Sequence, residues 1–194
     1  SKKILQVMRG LHMEGKLNEH QSRPFAPRRQ PEELYDLQSD PHELVNLANT
    51  AKHQERLASM RKALRQRMTQ TRDMGLIPEP ILEDLGREAG NKYLAFLETD
   101  HSKQTRRLID VITAGEANES DKLLDFAKYS DPSTRYWAAV WLGVNKTAES
   151  KSRLLQLTND TVPAVRIAAA QALCKSGDLD HLKLLVEHIH DPNL

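Results

Sequence analysis

A chain of 194 residues with 28% charged and 5% aromatic residues, its apolar content carried largely by Leu and Ala, has the balance of a mostly helical protein rather than of a β-sandwich or barrel. A net charge of +1 argues against nucleic acid as a default partner, which needs a concentrated positive surface. The charge is uneven, with 14 Lys/Arg against 9 Asp/Glu in residues 1–73 and 14 against 18 in residues 74–194.

A single cysteine, Cys174, leaves no internal disulfide and no multi-cysteine zinc site. No apolar run approaches the ~20 residues of a membrane span, and the charges scattered through residues 2–15 do not suit a signal peptide. Ser1, standing where an initiator Met would, suggests a trimmed or partial chain.

In chain order, Ile4, Leu5, Met8 and Leu11 fall at helical spacing and predict a short helix over residues 2–14, ended by Gly15. Residues 16–30, with Pro24, Pro27, Arg28 and Arg29, have no period and read as an extended connection. In "EELYDLQ", Glu33, Tyr35 and Leu37 alternate with Leu34 and Asp36, the period of a strand, whose partner would lie in residues 17–30 or be missing from this chain. Asp40, Pro41 and Glu43 have the spacing of a capped helical turn with a capping box. Asn49 or Thr50 then caps a helix running to about Thr71, with Leu57, Met60, Leu64 and Met68 as its buried stripe and Arg56, Arg61, Lys62, Arg65, Arg67 and Arg72 around it. Gly75 and Pro78 stop it, and residues 76–101, with Pro78, Pro80, Gly86, Gly90 and no sustained period, read as a linker with one short helical turn.

Beyond the linker the sequence repeats. Residues 130–143 and 160–174 align so that Arg135 matches Arg166, Ala138 and Ala139 match Ala169 and Ala170, and Leu142 matches Leu173. Leucine pairs recur at Leu123/Leu124, Leu154/Leu155 and Leu184/Leu185. Self-similarity at this period is the mark of a helical solenoid. The stretches "TVPAVRIAAAQAL" and "DPSTRYWAAVWL" resemble HEAT repeats, and their small Ala residues suit close helix packing. Asp191 and Pro192 read as the start of a further repeat helix, cut short at Leu194.

The string "RQPEELYDLQSDPHELVNLA" is similar to a segment near the C-terminal end of alkaline-phosphatase-like sulfatases, matched here by Glu33, Leu34, Tyr35, Asp36, Leu37, Asp40, Pro41, Glu43, Asn46, Leu47 and Ala48. The flanks "VMRGLHMEGKLNEHQ" and "TRDMGLIPE" resemble bacterial sulfatases of the sulfamidase-like branch, some of which carry HEAT-like repeats. The resemblance implies a mostly α chain: a small α+β sulfatase C-terminal subdomain in residues 1–75, with short antiparallel strands and a helix, then a linker (76–101) and a HEAT-like solenoid (102–194). It implies a parent that is a sulfuric ester or sulfamate hydrolase acting on sulfated glycans, exported to the periplasm or beyond. In that family the nucleophile is a formylglycine made within a Cys/Ser-x-Pro/Ala-x-Arg string, beside a divalent cation such as calcium. Cys174 is followed by Lys175, Ser176, Gly177 and Asp178 and does not fit that string, so no catalytic, cofactor-binding or metal residue is expected in this chain. Its partners would be the parent's catalytic domain and, through the repeats, a sulfated glycan or a protein.

The remaining candidates each have two readings. Asp131 with Arg135, and Asp160 with Arg166, suit either a ligand clamp or a ladder that staples repeats. Trp137 and Trp141 suit a sugar platform or a solenoid core. Cys174 reads as a small buried group rather than a nucleophile, and His181, His188 and His190 as a solvated face rather than a metal site. The cationic helix of residues 56–72 is either a wet surface or a sulfate-binding one, and His12, Lys16 and His20 fall in the part of the chain that resembles a cleft border. Two functional readings follow: the non-catalytic part of a sulfatase, or a free-standing HEAT scaffold that binds a protein.

Overall fold

The structure, a computed structural model, describes residues 2–27, 30–98 and 101–187 and divides into two compact units, residues 1–63 and 64–194. The described residues form helices joined by turns, with no β-strand among them.

In the first unit, α1 (Lys3–Met13) forms as its period predicts. Gly15, at φ 66°, closes it with Lys16 N–H donating to the Leu11 carbonyl, a left-handed exit that suits glycine. The expected extended connection over 16–30 is instead partly helical. Asn18 and Gln21 exchange side-chain and backbone hydrogen bonds at 3.0 and 2.9 Å, a capping box that starts α2 (Glu19–Ser22), and a 3-10 turn follows at Arg23–Phe25. Arg28 and Arg29 lie outside the described residues.

The expected strand over 33–37 is extended but unpaired as a strand. One backbone bond joins Leu47 N–H to the Leu34 carbonyl at 2.8 Å. The Asn46 side chain takes the other positions, accepting from Leu34 N–H and Ala48 N–H and donating to the Glu32 carbonyl. A side-chain amide here stands in for the neighbouring backbone that a ladder requires. Asp40 caps, but differently from the sequence expectation: its carboxylate accepts from Leu44 N–H at 3.0 Å and Val45 N–H at 2.7 Å. Glu43, at φ 55°, is turned away from a capping-box geometry.

A 3-10 turn at Ala51–His53 leads into α3 (Gln54–Gln70). Thr50 makes no side-chain cap, and the Gln54 amide donates to the Ala48 and Thr50 carbonyls instead. The predicted stripe is only partly buried, for Leu57 is buried while Met60 and Leu64 are 54% and 60% exposed. Arg61 shares the packed side, its guanidinium held by both oxygens of Glu32.

In the second unit the residues expected to form a linker are helical: α4 (Glu79–Ala89) and α5 (Lys92–Glu98). Two of the four prolines and glycines that suggested a break have other roles. Pro80 sits in the first turn of α4, where a missing N–H leaves no bond unmade. Gly86 lets the start of α5 cross closely, since a Cβ there would lie 3.0 Å from Lys92 N. Ile77 and Ile81 bury with Leu108 and Ala164 in a small apolar cluster.

The repeat follows as α6 (Ser102–Glu116), α7 (Ser120–Phe126), α8 (Pro132–Asn145), α9 (Ala148–Leu157), α10 (Pro163–Lys175), a 3-10 turn at Leu179–His181 and α11 (Leu182–Glu187). The 31-residue period is also a burial period: Leu108, Ala139 and Ala170 are sealed from solvent, as are Val111, Leu142 and Leu173. Helices α6, α8 and α10 therefore present equivalent faces, with Leu123 of α7 and Leu154 of α9 completing the core. Asp191 and Pro192 lie outside the described residues.

Two glycines set how near these helices come. A Cβ on Gly115 would stand 2.1 Å from the Trp141 ring, and one on Gly143 would stand 2.5 Å from the Ala172 Cβ. Gly115→Ala and Gly143→Ala should each destabilise the repeats by about 1–3 kcal/mol through overpacking. The chain's two tryptophans, Trp137 and Trp141, both lie on α8, so fluorescence-detected urea unfolding reports on this unit alone. An unchanged midpoint would mean that the helices part without cost.

Candidate functional site

Polar side chains that step from repeat to repeat form the best-defined constellation. Arg135 Nε and Nη2 donate to the two carboxylate oxygens of Asp160 at 2.7 and 2.9 Å, while Nη1 donates to the Tyr129 and Ser130 carbonyls at 2.8 and 2.7 Å. Arg166, one period later, donates to the Asp160 and Thr161 carbonyls, the equivalent backbone positions. One period earlier stands Gln104, whose amide donates to Asp131 at 3.0 Å. Asp131 in turn caps α8 by accepting from Thr134 N–H. The row is a ladder between repeats rather than an open clamp, because its donors are spent on carbonyls and carboxylates of the fold. Gln104 escaped the sequence reading, although the 31-residue spacing counted back from Arg135 points to it.

Burial alone would raise the Asp160 carboxyl, but the Arg135 hydrogen bonds, the Val162 N–H and the charges of Arg135 and Arg166 outweigh it and hold the group below its ordinary value. The hydrogen bond to Asp160 raises Arg135 in turn, against the opposing effect of burial.

Neither tryptophan is a free platform. Trp137 donates its indole N–H to the Leu76 carbonyl at 2.7 Å and meets Tyr136 edge-on, and Trp141 rests on Gly115. Cys174 is a half-buried free thiol on α10. His181 lies 3.9 Å from Asp178, and His188 and His190 fall outside the described residues. His12 stacks on Phe25, Lys16 pairs with Glu14, and His20 lines a groove elsewhere in the unit. On the cationic helix, Arg61 pairs with Glu32, Arg65 with Glu116, and Arg72 stacks over Phe96. Among the described residues no three His, Cys, Asp or Glu side chains converge in a way that could hold a metal ion.

Two grooves accompany these residues. One, of about 760 Å³ in the first unit, is lined by His20, Arg23, Glu33, Tyr35, His42 and Asn46 among others. Arg23 is committed to the Glu43 and Leu44 carbonyls there, and burial together with the neighbouring Glu33 raises the Tyr35 phenol. The other, about 750 Å³ in the repeats, lies between Lys146, Lys151 and the Gly177–Asp180 turn, with Lys151 held by Asp178 at 2.9 Å. In the first of them the Tyr35 phenol is hydrogen-bonded to the Glu33 carboxylate. No described helix is long and apolar enough to cross a membrane.

The side chains of Arg135 and Asp160 are 14% and 7% exposed. Breaking so buried a pair with Arg135→Ala should cost on the order of 3 kcal/mol. Because the Asp160 carboxyl is depressed in the fold, its stabilisation is complete above the unfolded carboxyl value, about 3.9, and is lost as pH falls through the lower folded value. Urea midpoints followed by Trp fluorescence should drop in acid for the native chain and less steeply for Asp160→Asn. Identical slopes would assign the acid sensitivity to other groups.

Comparison with known proteins adds three findings. Residues 120–194 match the HEAT-repeat family. The ulvan-active sulfatase of Formosa agariphila is 43% identical over 78 residues, which span 40% of this chain and 13% of that protein's length. No solved structure matches the chain. Residues 120–194 thus carry HEAT repeats, and the chain shares a partial likeness with a much longer sulfatase.

Proposed function

We propose that this chain is the non-catalytic, C-terminal part of a sulfatase whose parent hydrolyses a sulfuric ester or sulfamate on a sulfated glycan outside the cytoplasm. The carrying observation is the lack of a core in the first unit. Among its described apolar residues only Ala48 and Leu57 are buried, while Ile4, Val7, Met13, Val45 and Met60 are all more than half exposed. A unit of about 60 residues needs most of its apolar surface covered to stand. The eleven-position likeness of residues 33–48 to sulfatases, and the partial identity with the ulvan-active enzyme, support a sulfatase catalytic domain as the body that would cover it.

The parent's formylglycine and divalent cation belong, in this reading, to that body. Cys174 lacks the required string. The chain's own task is structural: it packs on the catalytic domain and extends it with a helical array that meets a glycan or protein. A free-standing scaffold is the second reading, favoured by the self-sufficient core that runs through α6, α8 and α10.

Two preparations separate these readings: the chain alone, and the chain extended upstream to include the catalytic region. The chain alone should bind an apolar reporter dye strongly and should not hydrolyse 4-nitrophenyl sulfate or a sulfated polysaccharide. The extended protein should lose most of the dye signal and gain turnover. Val7→Glu with Met13→Glu should lower dye binding by the chain alone and weaken the extended protein's stability. A chain that binds no dye, or an upstream region without a Cys/Ser-x-Pro/Ala-x-Arg string, would leave the scaffold in its place.

A further inference from the structure

Helix α3 carries cations that the ladder does not use, on a strip that also holds the exposed Met60. Residues 51–72 contain seven Lys/Arg and a single acid, Glu55. Arg61 and Arg65 turn toward Glu32 and Glu116 and are neutralised. Arg56 and Arg67 are exposed on a strip that faces away from Arg65, and Lys62 is exposed about a third of a turn round from them. None of these three cations is bonded to a carboxylate of the described residues. Glu55 sits in the first helical turn, where the helix dipole already favours an acid. Arg56 and Arg67 are eleven residues apart, about 16 Å along the axis.

From this arrangement we infer that the outer face of α3 binds a linear sulfated polysaccharide. The argument is charge complementarity: two arginines on one strip of the helix, with Lys62 about a third of a turn round from them, can meet successive anionic groups of a linear chain, and guanidinium groups take two oxygens of a sulfate at once. The face has no aromatic side chain between Arg56 and Arg67 on which a base could stack, which disfavours single-stranded nucleic acid. The choice of sulfate rests on the sulfatase reading above. The surface would hold a stretch of polymer away from the reacting bond, concentrating substrate instead of turning it over.

The test uses the full chain on immobilised dextran sulfate across a salt series. The native chain should be retained. Arg56→Gln/Lys62→Gln/Arg67→Gln should weaken binding at least tenfold at low salt and reduce the slope of log affinity against log salt by about 2, as the loss of three ionic contacts requires. Lys103→Gln/Arg106→Gln/Lys175→Gln removes three exposed cations from the repeats and should change affinity less than twofold. Circular dichroism confirms that both variants stay helical. Equal losses in the two variants, no retention of the native chain, or equally tight binding of a thymidine oligonucleotide would each overturn the assignment. Turnover by the extended protein is read separately: retention without turnover would remove the sulfatase and keep the surface.

Discussion

The second unit depends on how closely α8 can lie against its neighbours. Gly115 beneath the Trp141 ring and Gly143 beside Ala172 leave no room for even a methyl group, and along the same contacts Ala138, Ala139, Ala168 and Ala169 keep the helix surfaces shallow. Short side chains bring the helices together but bury little area each, so the contact is stable only as a repeated one. The larger residues that do fill the core, Val111, Leu142 and Leu173, recur at one position per repeat, which is why the period in sequence and the period in burial coincide.

Close packing of this kind leaves helix entrances with carbonyls that need donors, and the ladder meets that need. Arg135 and Arg166 sit one period apart and bind backbone oxygens five and six residues behind them, so the same residue does the same work twice. Arg135 also has a buried acid across the repeat boundary, Asp160, whose carboxyl the pairing holds below its ordinary value against the effect of burial. Gln104 completes the row with a neutral amide at its first position, where Asp131 serves mainly as a helix cap. The groups that looked most like a ligand clamp are thereby absorbed into the architecture.

The first unit follows the opposite logic. Its order comes from local hydrogen bonds, with Asn18 on Gln21, Asp40 on Leu44 and Val45, and Asn46 on Leu34 and Glu32, rather than from a core. Such bonds shape a backbone without supplying the apolar burial that holds a domain together. A segment shaped in this way keeps apolar side chains such as Ile4, Val7 and Met13 facing water.

What the sequence determined by itself was whatever repeats or caps locally. The 31-residue period announced α8 and α10 and their sealed leucines, and the spacing of Ile4, Leu5, Met8 and Leu11 announced α1. The HEAT character of the repeat half was legible for the same reason, since a solenoid writes its core into every unit. Tertiary structure decided the rest. Alternation in "EELYDLQ" could not reveal that Asn46 would occupy the place of a partner strand. Pro80 and Gly86 could not show that they start a helix and admit its neighbour. The apolar stripe of α3 could not show how little lies beside it to bury against. Nor could a row of basic residues say which cations, Arg61 and Arg65, would be neutralised and which, Arg56, Lys62 and Arg67, would face water. Each of these outcomes turns on a group distant in sequence, and a local pattern carries no record of that group until the chain has folded.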